Sequence, residues 1–356
     1  VGDIESLPFL EAIRQFRQDE GRENVIFIHL TLVPYLTAVG ELKTKPTQHS
    51  VRELMTIGIQ PDVLVARSEH PLNESLREKI ALFTNVPPQA VIEARDVSTI
   101  YQVPLELRDQ NLDDVVLQRL GLTREPAELL EWESMVKRII QPNLGQVKIA
   151  IVGKYTELVD AYKSIHQALI HGGISNDVGV KMSWISAEDY ENGSSLEGLK
   201  DYDALLIPGG FGERGVPGML MAVEWARENK LPFFGICLGL QVAIIEYSRN
   251  ICKLTNADSM EFSDDTDQPV ICLMDSQRNV TRKGGTMRLG SYPAILAKDS
   301  KVASIYCNSE IKERHRHRYE VNNDFRAYLE EAGLSMSGTS PNGELVEMIE
   351  LKDHPW

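Results

Sequence analysis

The sequence is poor in cysteine, carries no excess of positive charge and lacks long hydrophobic runs. Its four cysteines, Cys237, Cys252, Cys272 and Cys307, show no C-x-x-C spacing. This spacing argues against a metal-binding cysteine set, and the low count predicts a reducing, cytoplasmic setting. The formal net charge of −15 argues against a nucleic-acid-binding surface, although a local basic cluster could still hold a nucleotide. Without an apolar run of about 18 residues, no membrane span is predicted.

The length and the pattern along the chain predict two α/β domains. A chain of 356 residues is long for one hydrophobic core. Helical and strand-like segments alternate through the first third, as parallel sheets require. Helices are predicted over residues 9–16, 51–55 and 76–83, and strands over 24–30, 62–66 and 90–92. A second α/β pattern begins at residue 147 and includes a strand predicted over residues 204–207, with the junction between the two domains at 123–146.

A cysteine between two glycines is the strongest chemical signal. Residues 231–241 read LPFFGICLGLQ, an apolar strand running through Gly235, Cys237 and Gly239 into a helix. Such a strand-to-helix turn holds a nucleophile out of the sheet, and flanking glycines allow the strained backbone. The helix dipole or a nearby histidine would lower the pKa of the thiol. A buried structural cysteine is the alternative.

A glycine turn precedes this motif. Residues 208–215 read PGGFGERG and contain the spacing Gly210, Gly212, Gly215 of a dinucleotide-binding loop. That match is weak, because the acidic residue expected about 20 positions later is missing and the next strand ends in the cysteine motif. The preferred interpretation is an oxyanion hole formed by this turn and the N–H of Leu238. An ordinary turn is the alternative.

Two segments of the first third suit nucleotide binding. Residues 43–48, KTKPTQ, combine two cations, two hydroxyls and an amide, which suits phosphate, although a solvated loop explains them too. Lys79 by itself reads as an ordinary helix lysine. Asp3 and Glu5 could project to one side of an extended segment and hold a metal or a ribose, or be exposed loop acids.

Histidines and arginines alternate near the end of the chain. On a strand, His315 and His317 would share one face, and Arg314, Arg316 and Arg318 the other. One arginine could bind a substrate carboxylate. A histidine partner for Cys237 is possible here but disfavoured, because dense positive charge opposes protonation of a general base.

Together these motifs resemble the CTP synthase family over essentially the whole chain. The resemblance is carried by residues 1–6, 32–35, 43–50, 58–62, 208–212, 235–239, 284–290 and 314–322, in order. It implies a P-loop-like parallel-sheet synthase domain at 1–122, a linker at 123–146 and a class I glutamine amidotransferase α/β domain at 147–356. It also implies ATP-dependent amination of UTP to CTP with ammonia from glutamine, activation by GTP, inhibition by CTP and use of Mg²⁺.

The resemblance also implies site residues. Cys237 matches the glutaminase nucleophile, Gly210 and Leu238 the oxyanion positions, and Gln241, Glu261 and Arg318 the residues that bind glutamine. The UTP and CTP site corresponds to Asp3, Ile4, Glu5, Lys43, Thr44, Lys45, Pro46, Thr47, Gln48 and Lys79. The ATP site corresponds to Arg95, Asp96 and Val97, and GTP is expected near Arg214. A homotetramer is implied, with filaments possible.

Departures from the family pattern qualify these expectations. The phosphate loop and the magnesium-binding carboxylates of the family lie upstream of Val1, so no metal ligand is expected within the sequence. The His and Glu of the catalytic triad are expected in a segment that follows Trp356. A longer connection is usual between Asn279 and Gly284. Two rival functions remain: a stand-alone glutaminase or thiol hydrolase, and a non-catalytic assembly or filament subunit.

Overall fold

The computed structural model describes residues 3–123, 128–263, 265–273 and 287–355. The chain divides into two compact units, Val1–Pro142 and Asn143–Trp356. The connection expected between Asn279 and Gly284 lies outside the described residues. The domain limits and the linker at 123–146 stay predictions, and helix α6 (Leu130–Ile140) occupies much of that linker.

The first unit is built around a parallel sheet of three strands. Its order is β1–β4–β5, with both pairs parallel. This arrangement confirms the parallel α/β pattern predicted for the first third of the chain. The elements are α1 (Leu7–Glu20), β1 (Ile28–Leu32), β2 (Tyr35–Leu36), β3 (Glu41–Leu42), α2 (Lys45–Thr56), β4 (Val63–Ser68), α3 (Glu74–Thr84), β5 (Val91–Arg95), α4 (Val103–Asp109) and α5 (Leu112–Arg119), followed by α6.

Apolar residues on β4 and β5 form the core of the first unit. Val63, Leu64, Val91 and Ile92 are fully buried, because helices cover a parallel sheet and its strands become continuous apolar runs.

The second unit begins with a parallel sheet of order β7–β6–β8–β9. The strand predicted over residues 204–207 has those same bounds. The elements are β6 (Gln146–Gly153), α7 (Lys163–Asn176), β7 (Gly179–Ser186), α8 (Ala187–Glu191), β8 (Ala204–Ile207), α9 (Val216–Glu228), β9 (Phe233–Gly235) and α10 (Leu238–Asn250). Because β6 and β8 are parallel neighbours, the turns that follow them lie at the same edge of the sheet.

Shorter strands complete the second unit. One sheet has the order β10–β11–β14, and an antiparallel sheet has the order β13–β12–β15–β16. The elements are β10 (Ala257–Ser259), β11 (Gln268–Leu273), β12 (Arg288–Leu296), α11 (Lys301–Tyr306), β13 (Glu310–His317), β14 (Tyr319–Val321), α12 (Arg326–Glu331), β15 (Leu334–Thr339) and β16 (Val346–Leu351). Within the described ranges, no helix is long and apolar enough to cross a membrane.

Candidate active site

Cys237 lies at a strained turn between β9 and α10. Its backbone has φ 55° and ψ −101°, a conformation that residues other than glycine rarely adopt. A Cβ on Gly235 would lie 2.5 Å from the carbonyl carbon of Gly239, and a Cβ on Gly239 would lie 2.2 Å from the Ile207 oxygen. Both positions therefore require glycine, and the predicted strand–cysteine–helix elbow is confirmed as a geometry.

The glycine turn after β8 packs against this elbow. A Cβ on Gly209 would lie 3.5 Å from the Cys237 Cβ and 3.9 Å from its Sγ. A Cβ on Gly210 would lie 3.1 Å from the Leu238 side chain. The turn and the start of α10 are thus adjacent, as an oxyanion hole built from Gly210 and Leu238 requires.

The three residues predicted to bind glutamine lie on segments that adjoin Cys237. The Gly212 N–H donates to Glu261 Oε1 at 2.7 Å, which links Glu261 to the glycine turn. The Gln241 amide donates to the Tyr319 carbonyl oxygen at 3.3 Å, and half-buried Arg318 directly precedes Tyr319. The carboxylate of Glu261 and the guanidinium of Arg318 carry the opposite charges that binding of a free amino acid needs.

A cavity of about 690 Å³ opens beside the thiol. Cys237, Gln241, Arg316 and Tyr319 contribute to its wall, together with apolar side chains of β8 and β9. Its volume is within the range of small-molecule sites, so an amino acid fits with room to spare.

The thiol differs from the expected low-pKa nucleophile. Burial raises the pKa of Cys237 to about 11, and the negative charges of Glu261 and Glu320 add to this effect. A hydrogen bond from the Leu238 backbone lowers the pKa but only partly offsets burial. Desolvation, which the expectation of a low pKa leaves out, is the dominant effect. The thiol therefore needs a base before it can attack a carbonyl carbon.

His315 and His317 share the more buried face of β13, and Arg314 and Arg316 are exposed, which confirms the predicted alternation up to His317. Arg318 lies beyond the end of β13 and is half-buried, so it does not share the exposed face as predicted. The two imidazoles are 2.8 Å apart, Nδ1 of His315 to Nε2 of His317. Sγ of Cys237 faces the Arg316 carbonyl oxygen at 3.9 Å. Burial is the main cause that lowers the pKa of His317, to about 4, and the neighbouring His315 contributes. This geometry disfavours either histidine as the base for Cys237.

Buried charged residues that the sequence did not reveal lie beside these histidines. Arg288 donates to Glu320 at 3.3 Å and to Glu347 at 2.6 Å, and all three side chains are buried. Burial raises the pKa of Glu320 to about 7. The three residues lie far apart in the chain, so no local pattern could have grouped them.

In the first unit, residues 43–48 do not form the predicted loop. Helix α2 begins at Lys45, and Pro46 lies in its first turn, a position that suits proline. Thr47 is fully buried and donates to the Leu32 carbonyl oxygen at 2.9 Å, and the Gln48 amide donates to Thr44 Oγ1 at 3.1 Å. Thr44 and Thr47 therefore support the fold, and the cations Lys43 and Lys45 remain at a helix N-terminus.

The other residues predicted to bind UTP and CTP lie on a 3-10 turn and on α3. Asp3 caps a 3-10 turn at Ile4–Ser6 by accepting from the Glu5 N–H at 3.1 Å, so this segment is not extended as predicted, although Asp3, Ile4 and Glu5 are all exposed. Lys79 is exposed on α3. The hydrogen bond and ion pair with Lys43 lower the pKa of Glu41, and the charge of Lys79 makes a smaller contribution in the same direction.

The segment predicted to bind ATP follows β5, at the carboxyl edge of the parallel sheet. Arg95 pairs with Glu93 and Glu106, each at 3.2 Å, and Asp96 pairs with Arg67 at 3.2 Å. Val97 is half-buried beside them. Ligands of open α/β sheets bind at this edge, which suits a nucleotide site.

The described residues do not fit a bound magnesium ion. Across the described parts of the chain, no three His, Cys, Asp or Glu side chains are grouped as a metal site.

Comparisons with known proteins identify the family that the chain resembles. The family model "CTP synthase N-terminus" matches residues 1–122, and "Glutamine amidotransferase class-I" matches residues 157–356. The chain is 55% identical to the CTP synthase of Desulfitobacterium hafniense over 356 residues, covering 100% of this chain and 67% of the relative. It is 53% identical to the CTP synthase of Methanocaldococcus jannaschii, covering 99% and 66%. The chain thus spans about two thirds of the length of these relatives.

A solved structure supports the second unit. The glutaminase domain of Trypanosoma brucei CTPS with bound acivicin aligns with a TM-score of 0.53 at 38% identity, covering 58% of this chain and 82% of that one. Together with the family models, this match confirms the predicted fold class and the resemblance of both halves. The chain belongs to the CTP synthase family, whose members are ligases.

Proposed function

We propose that the protein containing this chain converts UTP to CTP with ATP and with ammonia released from glutamine at Cys237. The observation that carries this proposal is the strained Cys237 elbow packed against the glycine turn. A strained turn that only glycine neighbours permit is retained where a reactive side chain must be held in place.

Glutamine hydrolysis would begin with attack of Cys237 Sγ on the side-chain amide carbon. The N–H groups of Gly210 and Leu238 would bind the oxygen of the tetrahedral intermediate. Collapse releases ammonia and leaves a thioester, and water then cleaves the thioester to give glutamate and the free thiol. Because burial raises the pKa of the thiol, a base must take its proton, a role we assign to the triad histidine that the family carries after the segment matching Trp356.

Charge would orient the substrate beside the thiol. Glu261 would hold the α-ammonium of glutamine, and Arg318 its α-carboxylate. Gln241, whose amide donates to the Tyr319 carbonyl oxygen, would contact the substrate from the first turns of α10. Bound in this way, glutamine would present its amide carbon to Sγ at the elbow.

The first unit would bind the nucleotides. The N-terminus of α2, with Lys43 and Lys45, offers N–H groups and positive charge to the triphosphate shared by UTP and CTP. Residues Arg95–Val97 would contact ATP. ATP would phosphorylate the uracil O4, and ammonia passed from the second unit would displace that phosphate, giving CTP, ADP and inorganic phosphate.

The proposal includes the regulation and assembly of the family. GTP would activate glutamine hydrolysis near Arg214, CTP would inhibit by occupying the UTP site, and Mg²⁺ would accompany ATP. The protein would act in the cytoplasm as a homotetramer. Each of these features rests on the family resemblance.

Substitution of the nucleophile tests the division of labour. In the complete protein, Cys237→Ala should abolish CTP formation from glutamine and leave CTP formation from added ammonia, because the elbow serves only hydrolysis. Cys252→Ala provides a matched control at a cysteine outside the elbow. Equal loss of both activities would contradict the proposal, and a stand-alone glutaminase would make no CTP from either donor.

A further inference from the structure

Lys154, the residue after β6, is a buried lysine that the proposed reaction does not use. Only 6% of its surface is exposed. Its ammonium donates to the Phe211 carbonyl oxygen at 3.1 Å and also to the Gly212 carbonyl oxygen. A buried cation that binds two consecutive carbonyl groups fixes the local backbone, because each charge-assisted hydrogen bond is stronger than a neutral one.

The peptide unit between Phe211 and Gly212 is held at both ends. Its carbonyl oxygen accepts from Lys154, and its N–H donates to Glu261 Oε1 at 2.7 Å. In a trans peptide these two groups point in opposite directions, so the two side chains together set the orientation of its plane.

Little else in this turn resists rotation of that peptide. Gly212 has φ 74°, and a Cβ there would meet nothing within 4 Å. Glycine crosses between backbone conformations readily, so steric contacts do not fix the plane. The hydrogen bonds of Lys154 and Glu261 are therefore its main constraint.

The aliphatic part of Lys154 also lies close to Gly210. A Cβ on Gly210 would lie 3.3 Å from Lys154 Cδ and 3.1 Å from Leu238 Cδ2. The lysine side chain thus packs beside Gly210, one of the two residues proposed to form the oxyanion hole. The Lys154 carbonyl oxygen accepts from Arg214 at 3.0 Å, which ties in the far end of the turn.

The ammonium is charged at neutral pH. Burial is the main cause that lowers the pKa of Lys154, to about 8, and the charge of Arg214 lowers it further. The carboxylates of Glu261, Glu188 and Glu191 oppose this shift.

We propose that Lys154 is a positioning residue for glutamine hydrolysis: it holds the Phe211–Gly212 peptide so that the oxyanion turn and Glu261 keep their places around Cys237. This inference rests on the proposed function, because it assumes that Cys237 hydrolyses glutamine. It does not require Lys154 to touch substrate.

Two substitutions in the complete protein separate the hydrogen bonds that the Lys154 ammonium donates from the packing of its aliphatic chain. Lys154→Met keeps the aliphatic volume and removes the donor, whereas Lys154→Arg keeps a cationic donor. Misplaced catalytic groups cost roughly 100-fold in rate, so we expect kcat/KM for glutamine to fall about 10- to 100-fold in Lys154→Met and to recover in part in Lys154→Arg. Lys200→Met, at an exposed lysine, is the control.

Labelling of Cys237 gives a readout that is independent of CTP formation. Diazo-oxo-norleucine needs the glutamine site, whereas iodoacetamide needs only an accessible thiol. In Lys154→Met we expect slower labelling by diazo-oxo-norleucine, unchanged labelling by iodoacetamide and unchanged CTP formation from ammonia. A role in folding alone would lower the melting temperature and slow labelling by diazo-oxo-norleucine. It would speed labelling by iodoacetamide, because unfolding exposes the buried thiol and lowers its pKa.

The outcomes distinguish the two proposals. The positioning role is overturned if Lys154→Met uses glutamine as the wild type does, if Met supports glutamine use better than Arg does, or if iodoacetamide labelling speeds up while the melting temperature falls. If the wild-type protein makes no CTP from glutamine or ammonia, the proposed function fails, and the ratio of the two labelling rates still tests Lys154. If Lys154→Met does not fold, Lys154→Arg decides: wild-type melting with reduced diazo-oxo-norleucine labelling supports the role, and unstable protein or wild-type labelling contradicts it.

Discussion

Replacing Gly239 by alanine should disable glutamine hydrolysis through the backbone. The new Cβ would lie 2.2 Å from the Ile207 carbonyl oxygen and 3.1 Å from the Ile207 Cβ. Ordinary contact begins near 3.4 Å, so the start of α10 must move about 1.2 Å away from β8 (3.4 − 2.2). Overpacking of this kind costs typically 1–3 kcal/mol of folding free energy.

The same movement displaces Cys237 and the Leu238 N–H relative to the glycine turn. A shift of about 1 Å in reacting groups costs roughly 100-fold in rate, so glutamine-dependent CTP formation should fall by about that factor. CTP formation from ammonia should remain, because the first unit is unchanged. Steady-state rates with each nitrogen donor and urea unfolding measure the two effects.

Gly172→Ala is the matched control for that substitution. Gly172 lies within α7, and a Cβ there would meet nothing within 4 Å. Alanine in a helix interior is favoured over glycine by about 1 kcal/mol, so this variant should be as stable as the wild type or more stable. If Gly239→Ala unfolds like Gly172→Ala and hydrolyses glutamine like the wild type, the account of the elbow is refuted.

Two further predictions concern the buried cation Arg288 and the start of helix α2. Arg288→Met should destabilise the protein by about 3–5 kcal/mol, because Glu320 and Glu347 would remain buried without their cation. Because the pKa of Glu320 is raised, to about 7, its folded form favours the neutral carboxyl, so the loss measured by urea unfolding should be larger at pH 8 than at pH 5, and equal losses would contradict this. Lys43→Ala should weaken UTP and CTP alike in calorimetric titrations, whereas Thr47→Val should cost about 1 kcal/mol of stability and leave both affinities unchanged.

The elbow and the parallel sheets could be predicted because local sequence determines them. Gly235 and Gly239 are required by contacts within a few residues of Cys237 and with the adjacent strand, so the Gly-x-Cys-x-Gly pattern carries the geometry. The strand at Ala204–Ile207 is an apolar run between turn residues, and its bounds followed directly. The Gly-x-Cys-x-Gly pattern and the apolar run can both be recognised in the sequence before any contact between distant residues is known.

Other features depend on residues far apart in the chain. The raised pKa of Cys237 follows from burial by segments that no motif near the cysteine indicates. Lys154 lies 57 residues before the carbonyl oxygen of Phe211 that it binds. By contrast, Pro46 is a local signal for the first turn of a helix. It could have predicted the start of α2 in place of the loop expected at residues 43–48.

Trapping the covalent intermediate tests the central claim most directly. The complete protein would be mixed with labelled glutamine, ATP, UTP and GTP, quenched in acid within the first turnover and digested for mass spectrometry. The account predicts a glutamyl group on the peptide that carries Cys237, lost when the quench is delayed until glutamine is consumed. A glutamyl group on Cys252, Cys272 or Cys307, or ammonia release with no modified cysteine, would contradict it.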